Sequence, residues 1–294
     1  MGEAAGRRPL HVFCARAFRL GSFGCRVRDH RRFVARHLLG CIGAMTLPAI
    51  QLTGVTVAYD RKPAVRHVTG CFSPGSLTAI AGPNGAGKST LIRALIGELP
   101  LASGKIDLGG LSARSIGYLP QAAEIERQFP LSVADVIMLG AWGKIGAFGR
   151  VSPQTAAKAR EALLAVGLEG FETRHIGSLS AGQFQRVLFA RLLLQDARII
   201  VLDEPFTAID ARTTHDLLEI VSRWHRGGRT VIAVLHDFDQ IRRSFPETLL
   251  LAREAIQWGD TAAVLSPANL LKARAMAECW DEESEPGMER AIAS

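Results

Sequence analysis

The chain has 294 residues, 48% of them hydrophobic and 21% charged, which is enough to bury one large or two modest cores. It contains no run of the roughly eighteen uninterrupted apolar residues that a bilayer-spanning helix needs, so it reads as soluble and any membrane role requires a partner. The net charge of +7 suggests nucleic acid only until it is located: nine arginines stand against Glu3 and Asp29 within residues 1–44, and the remainder is balanced, too neutral to grip phosphate backbones strongly.

Residues 1–44 also carry Cys14, Cys25 and Cys41 with His11, His30 and His37, but their spacings match no zinc-ligand pattern. "MTLPAIQLTGVTVAYD" from Met45 has the form of a domain start. The preceding segment is therefore expected to be a disordered basic extension or a misplaced translation start. Its one apolar stretch is too short to favour secretion. Cys71 and Cys279 are far apart and imply no disulfide framework, which fits a reducing compartment.

From Met45 the sequence alternates short β-branched runs with longer helical ones, as in an α/β domain around a largely parallel sheet. "LTAIAG", "RIIVLDEP" and "TVIAVLHD" are continuous apolar runs that end in polar residues, the form of strands buried on both faces. Ligands of such sheets gather at the carboxyl ends of the strands, where these polar residues are delivered. Between about residues 122 and 196 helical signals dominate: "PLSVADVIMLGAW" opens with a capping box, and "SPQTAAKAREALLAVGL" places Pro153 in a first turn after Ser152. We read this as an inserted helical subdomain, within a domain over residues 45–279. A flexible acidic tail over 280–294 is expected to follow.

"GPNGAGKST" satisfies G-x-x-x-x-G-K-[ST] between a strand and a helix. Gly82, Pro83, Asn84, Gly85, Ala86 and Gly87 form a loop whose backbone N–H groups can face a phosphate chain at a helix start. Lys88 adds a positive charge at the β- and γ-phosphates, and Ser89 and Thr90 follow, Ser89 offering a hydroxyl to Mg²⁺. "IIVLDEP" ends in Asp203, suited to the magnesium shell, and Glu204, suited to orient or deprotonate an attacking water. His236, Gln121 and Tyr59 can reach the γ-phosphate, the metal or water, and adenine respectively, although each taken singly has an equally good structural reading. "LSAGQ" places Ser180, Ala181, Gly182 and Gln183 at the entrance of a helix whose Phe184, Val187, Leu188 and Leu192 share one face. It looks built to hold an anion.

Taken together, residues from Ile50 to about Lys272 resemble the ATP-binding subunit of ATP-binding cassette (ABC) transporters. The family's landmarks appear in its order: Tyr59, the P-loop at Gly82 to Thr90, Gln121, the signature Ser180 to Gln183, Asp203, Glu204, Asp210 in "AID" and His236. One departure is visible, LSAGQ in place of LSGGQ. The resemblance implies a P-loop cassette fold with a RecA-like core, an antiparallel β subdomain and the inserted helical subdomain. It implies ATP and Mg²⁺ as cofactors, with Gln121 joining Ser89 and Asp203 around the metal. It also implies a head-to-tail pair in which the signature Ser180 to Gln183 of one copy faces the γ-phosphate held by the other, which supplies the anion, and it places Asp210 among the nucleotide-binding residues.

"QFPLSVADVIMLGAWG" is similar to the matching stretch of ATPases of zinc, manganese and iron(II) importers. This implies ATP-driven uptake of a divalent metal, zinc first and manganese second. The chain would sit peripherally at the cytoplasmic face of the membrane, with a membrane permease as partner and, indirectly, a periplasmic or lipoprotein metal-binding protein. An ATPase of an iron-siderophore, haem or cobalamin importer is the near alternative. A soluble non-transport ABC ATPase and a silent scaffold are the distant ones.

Overall fold

The computed structural model describes residues 47–59, 62–146 and 149–284, with side chains to Glu278. The expectations for the basic extension and for the last residues of the tail lie outside these. The described residues form two units.

One unit takes residues 47–118, 198–205 and 221–284. Strands β1 (Ile50–Tyr59), β2 (Lys62–Phe72) and β4 (Ser103–Asp107) make an antiparallel sheet in the order β2-β1-β4. A second, six-stranded sheet runs β5 (Ile116–Leu119), β6 (Ile199–Asp203), β7 (Thr230–Val234), β3 (Leu77–Ala81), β8 (Glu247–Ala252) and β9 (Glu254–Asp260). β6 pairs parallel with β7, and β3 pairs parallel with both β7 and β8, while β9 returns antiparallel on β8. Every residue of β3, β6 and β7 is buried, which is why these strands read as unbroken apolar runs. β1 begins with strict alternation, Ile50 and Leu52 buried and Gln51 and Thr53 outside, as a sheet with one wet face demands. The core of this unit joins Ile50, Leu52, Val65 and Phe72 to Ile80, Val201, Ile232 and Leu249 across helix α1 (Lys88–Leu95), which contributes Leu91 and Ile92.

The other unit takes Leu119–Ala197 and Phe206–Ile220. Its helices are α2 (Val133–Met138), α3 (Trp142–Ile145), α4 (Pro153–Ala165) and α5 (Ala181–Gln195), followed by the first turns of α6 (Ala211–Arg226). The capping signals hold: Ser132 and Asp135 close a full capping box on α2, and Ser152 caps α4 ahead of Pro153. α5 is the centre of this unit, with Phe184, Val187, Leu188 and Leu192 each 1% exposed or less. The chain closes with α7 (Phe238–Ser244), α8 (Thr261–Val264) and α9 (Pro267–Ser284), so helix continues past the point where apolar periodicity fades. Among the described residues no helix is long and apolar enough to cross a membrane.

Gly140 marks where the chain after α2 touches α5: a Cβ there would lie 2.2 Å from the carbonyl oxygen of Arg191. Backbone cannot yield as a side chain can. Gly140→Ala is expected to lower the free energy of unfolding by about 2 kcal/mol or more, read by denaturant titration, through overpacking. Gly143→Ala, with nothing within 4 Å of the added carbon, is expected to be neutral or slightly stabilising in the same measurement.

Candidate functional site

β3 ends at Ala81 and the chain turns at once through Gly82, whose missing Cβ would stand 1.9 Å from the carbonyl oxygen of Leu251. Gly85 and Gly87 adopt φ of 74° and 86°, the left-handed region that glycine enters without penalty. Gly87 is the N-cap of α1 and supplies no side-chain cap, so the first-turn N–H groups of that helix lack an acceptor of their own. Such a helix start favours an anion through both its free donors and its dipole. Asn84 and Gly85 are exposed at the loop's crest, while Ala86 is buried beneath it.

Lys88 is only 6% exposed, and its ammonium donates to the carbonyl oxygens of Gly82 at 3.0 Å and Pro83 at 2.7 Å. Burial pulls its pKa below the usual lysine value, and the carboxylates of Glu204 and Asp203 partly oppose that fall. Ser89 donates to the Oδ1 of Asp203 at 3.3 Å, and Asp203 is 1% exposed at the end of β6. A hydroxyl beside a buried carboxylate is an oxygen-only donor set, which fits magnesium and not a softer ion.

Glu204 follows with φ 48°, a left-handed conformation that a side-chain-bearing residue enters at a cost, at the turn out of β6. Its Oε1 meets the Nε2 of His236, which stands exposed just after β7. An ionised carboxylate only accepts, so Nε2 is the donor of this pair. The arrangement can hold a water against a phosphate and draw a proton from it. Lys88, Ser89, Asp203, Glu204 and His236 are thus gathered at the carboxyl ends of neighbouring strands in one unit.

Ser180, Gly182 and Asp210 are gathered in the other. Ser180 Oγ accepts from the N–H of Gln183 at 3.2 Å, and Gln183 Oε1 accepts from the N–H of Ser180 at 3.1 Å, a reciprocal box at the entrance of α5. The N–H groups of Ala181 and Gly182 have no intrahelical acceptor and remain for a ligand. Ala181 is exposed, so the methyl group that departs from the usual glycine lies at the surface. Gly182 is different: a Cβ there would stand 3.3 Å from Thr213 Oγ1 and 3.4 Å from Asp210 Oδ2.

Asp210 accepts from the Thr213 N–H at 2.9 Å and from the Thr213 hydroxyl at 2.7 Å, and these bonds hold its carboxyl below the ordinary range. Gln121 is half-buried where β5 gives way to a short 3₁₀ turn, and Tyr59 is 45% exposed at the end of β1.

The sequence reading missed Arg186, Thr213 and Asp216. Arg186 donates to the Val166 carbonyl at 2.9 Å and the Asp216 carboxylate at 2.7 Å, tying α5 to the start of α6. The "DART" pattern at Asp210 was a legible cap signal for Thr213, whereas nothing local announces a partner thirty residues from Arg186.

The family model described as ABC transporter matches residues 65–207. The manganese transport system ATP-binding protein MntB of Bacillus subtilis is 39% identical over 76% of this chain and 91% of its own length. The zinc transport system ATP-binding protein TroB of Treponema pallidum is 38% identical over 75% of this chain and 85% of its own. Among solved structures, a metal-chelate type ABC transporter in an inward-facing conformation superposes with a TM-score of 0.69 at 28% identity, covering 77% of this chain and 89% of that one.

Because the folded-state pKa of Lys88 lies below 10.5, its charged form is penalised by folding, and the penalty is relieved as pH rises through that lowered pKa. A bound triphosphate brings negative charge and raises the pKa again. ATP binding is therefore expected to take up protons at alkaline pH below 10.5, with affinity falling as pH rises there. Titration calorimetry in two buffers of different ionisation heat reads this directly, and equal heats in both overturn it.

Proposed function

This chain belongs to the ABC transporter family, and from that premise we propose that it is the ATP-hydrolysing subunit of an importer of a divalent metal ion, zinc or manganese. As a member of the family it is an ATP-binding cassette ATPase and works with a membrane permease. One observation carries the metal reading: a manganese and a zinc transport subunit match three quarters of the chain at nearly equal identity. That balance gives zinc no precedence over manganese. A physical reason accompanies it, since in this reading the ion is held by the permease and the binding protein and never touches the ATPase.

In the proposed reaction Lys88 and the N–H groups of the P-loop hold the β- and γ-phosphates. Ser89, Asp203 and Gln121 would hold Mg²⁺, which when bound neutralises phosphate charge. Glu204 orients and deprotonates water, and His236, hydrogen-bonded to it, contacts the γ-phosphate. Tyr59 stacks on adenine. Ser180 to Gln183 and Asp210 of a second copy close the nucleotide site, so ATP that binds only the closed pair stabilises it, and hydrolysis loosens it. The permease docks on the helical unit, where Phe129 is 60%, Leu139 47% and Trp142 48% exposed. The subunit then sits peripherally at the cytoplasmic face of the membrane. The likeness to a metal-chelate type transporter supports a second reading, uptake of an iron-siderophore, haem or cobalamin.

Glu204→Gln is expected to leave ATP binding intact and to cut hydrolysis by roughly 100-fold or more, the scale of losing a general base. Retained turnover removes Glu204 from that role. Cells lacking the chain are expected to lose high-affinity uptake of labelled zinc or manganese and to regain it on complementation. Unchanged uptake of both, with loss of a chelate instead, selects the second reading, and the permease that co-purifies from membranes identifies the system.

A further inference from the structure

We infer that Arg127 is a positioning residue: it fixes the peptide plane that carries Ser180 and ties it to the segment around Phe129. The inference rests on the reading of Ser180 as the residue that completes the nucleotide site of a second copy.

The Arg127 Nη2 donates to the carbonyl oxygen of Leu179, and more weakly, at 3.4 Å, to that of Ile176. Leu179 is followed directly by Ser180, so the Leu179 carbonyl and the Ser180 N–H belong to one peptide unit. Its N–H is held by Gln183 Oε1 at 3.1 Å and its oxygen by Arg127. A planar group gripped at both ends cannot rotate without breaking a bond. The guanidinium itself is seated on Phe184, 4.8 Å from a ring that is 1% exposed, which gives the cation a fixed base.

The neighbouring backbone reinforces the link. The N–H groups of Val133 and Ala134 donate to the carbonyls of Arg174 at 2.9 Å and Glu172 at 3.0 Å, and the Ile176 N–H donates to Leu131 at 3.0 Å. Gly177 passes so close that an added Cβ would sit 3.0 Å from the Arg127 carbonyl oxygen. Residues 127–134 and 172–179 therefore move as one piece. Exposed Phe129 lies two positions beyond Arg127, so a force applied there reaches the Ser180 peptide through a charge-assisted hydrogen bond and no intervening loop. Arg127 acts on the orientation of Ser180 and of the free N–H groups behind it, not on nucleotide itself.

The test uses the full chain in an E204Q background, with dimer formation followed by light scattering across ATP concentrations. R127M keeps the hydrocarbon on Phe184 and removes the donors. It is expected to raise the ATP concentration for half-maximal dimer roughly tenfold, the scale of one lost hydrogen bond to a charged group. ATP affinity of the monomer is expected to stay close to that of E204Q, while the thermal midpoint falls by no more than the loss of one hydrogen bond explains. R127K, which restores a charged donor, is expected to recover most of the loss. R127Q, a neutral donor of shorter reach, replaces R127M if the latter does not fold. Dimerisation of R127M at the E204Q concentration, an equal fall in monomer affinity, or a lysine variant no better than methionine overturns the inference while leaving the paired-site reading intact. A strictly monomeric E204Q protein overturns both.

Discussion

A buried ammonium is the constraint around which the unit carrying the glycine-rich loop is organised. Lys88 has left water for a place where the carbonyl oxygens of Gly82 and Pro83 are its donors' targets and the carboxylates of Asp203 and Glu204 offset its charge. Carbonyl oxygens replace hydration only in part, so the site is held in a state that a polyanion improves. The glycines of the loop and Glu204 take up positive φ at the strand ends that flank this cation.

The two helix entrances solve opposite versions of one problem. α1 begins at Gly87, with no side chain to satisfy its first turn, and so presents bare donors. α5 begins at Ser180 with a closed capping box, which stabilises the helix by itself and leaves only the N–H groups of Ala181 and Gly182 unserved. The first entrance suits close binding of a phosphate through bare backbone donors. The second suits a contact that is made and released. The proposed pairing of two copies, closing on ATP and opening after hydrolysis, calls for both kinds.

Much of this was legible in the sequence because it is local. Continuous apolar runs gave β3, β6 and β7, the Ser-x-x-Asp and Ser-Pro signals gave the starts of α2 and α4, and the face of Phe184, Val187, Leu188 and Leu192 gave the packing of α5. The P-loop and the acids at the end of β6 could be read because their chemistry depends on adjacent residues. What could not be read is long-range: the grip of Arg127 on Leu179, the bridge from Arg186 to Asp216, and the nearness of Asp210 to Gly182 join residues whose spacing carries no period. The continuation of α9 to Ser284 was hidden for another reason, since an acidic composition lowers the apolar signal without preventing a helix.

The unequal surroundings of Ala181 and Gly182 bear on how such chains diverge. Position 181 opens to solvent and accepts a methyl group, whereas position 182 is hemmed in by Asp210 and Thr213. Two neighbouring letters of one short motif thus meet different steric limits, the first open to a methyl group in the single chain and the second with little room for one. A search pattern that insists on glycine at both will discard chains of this kind.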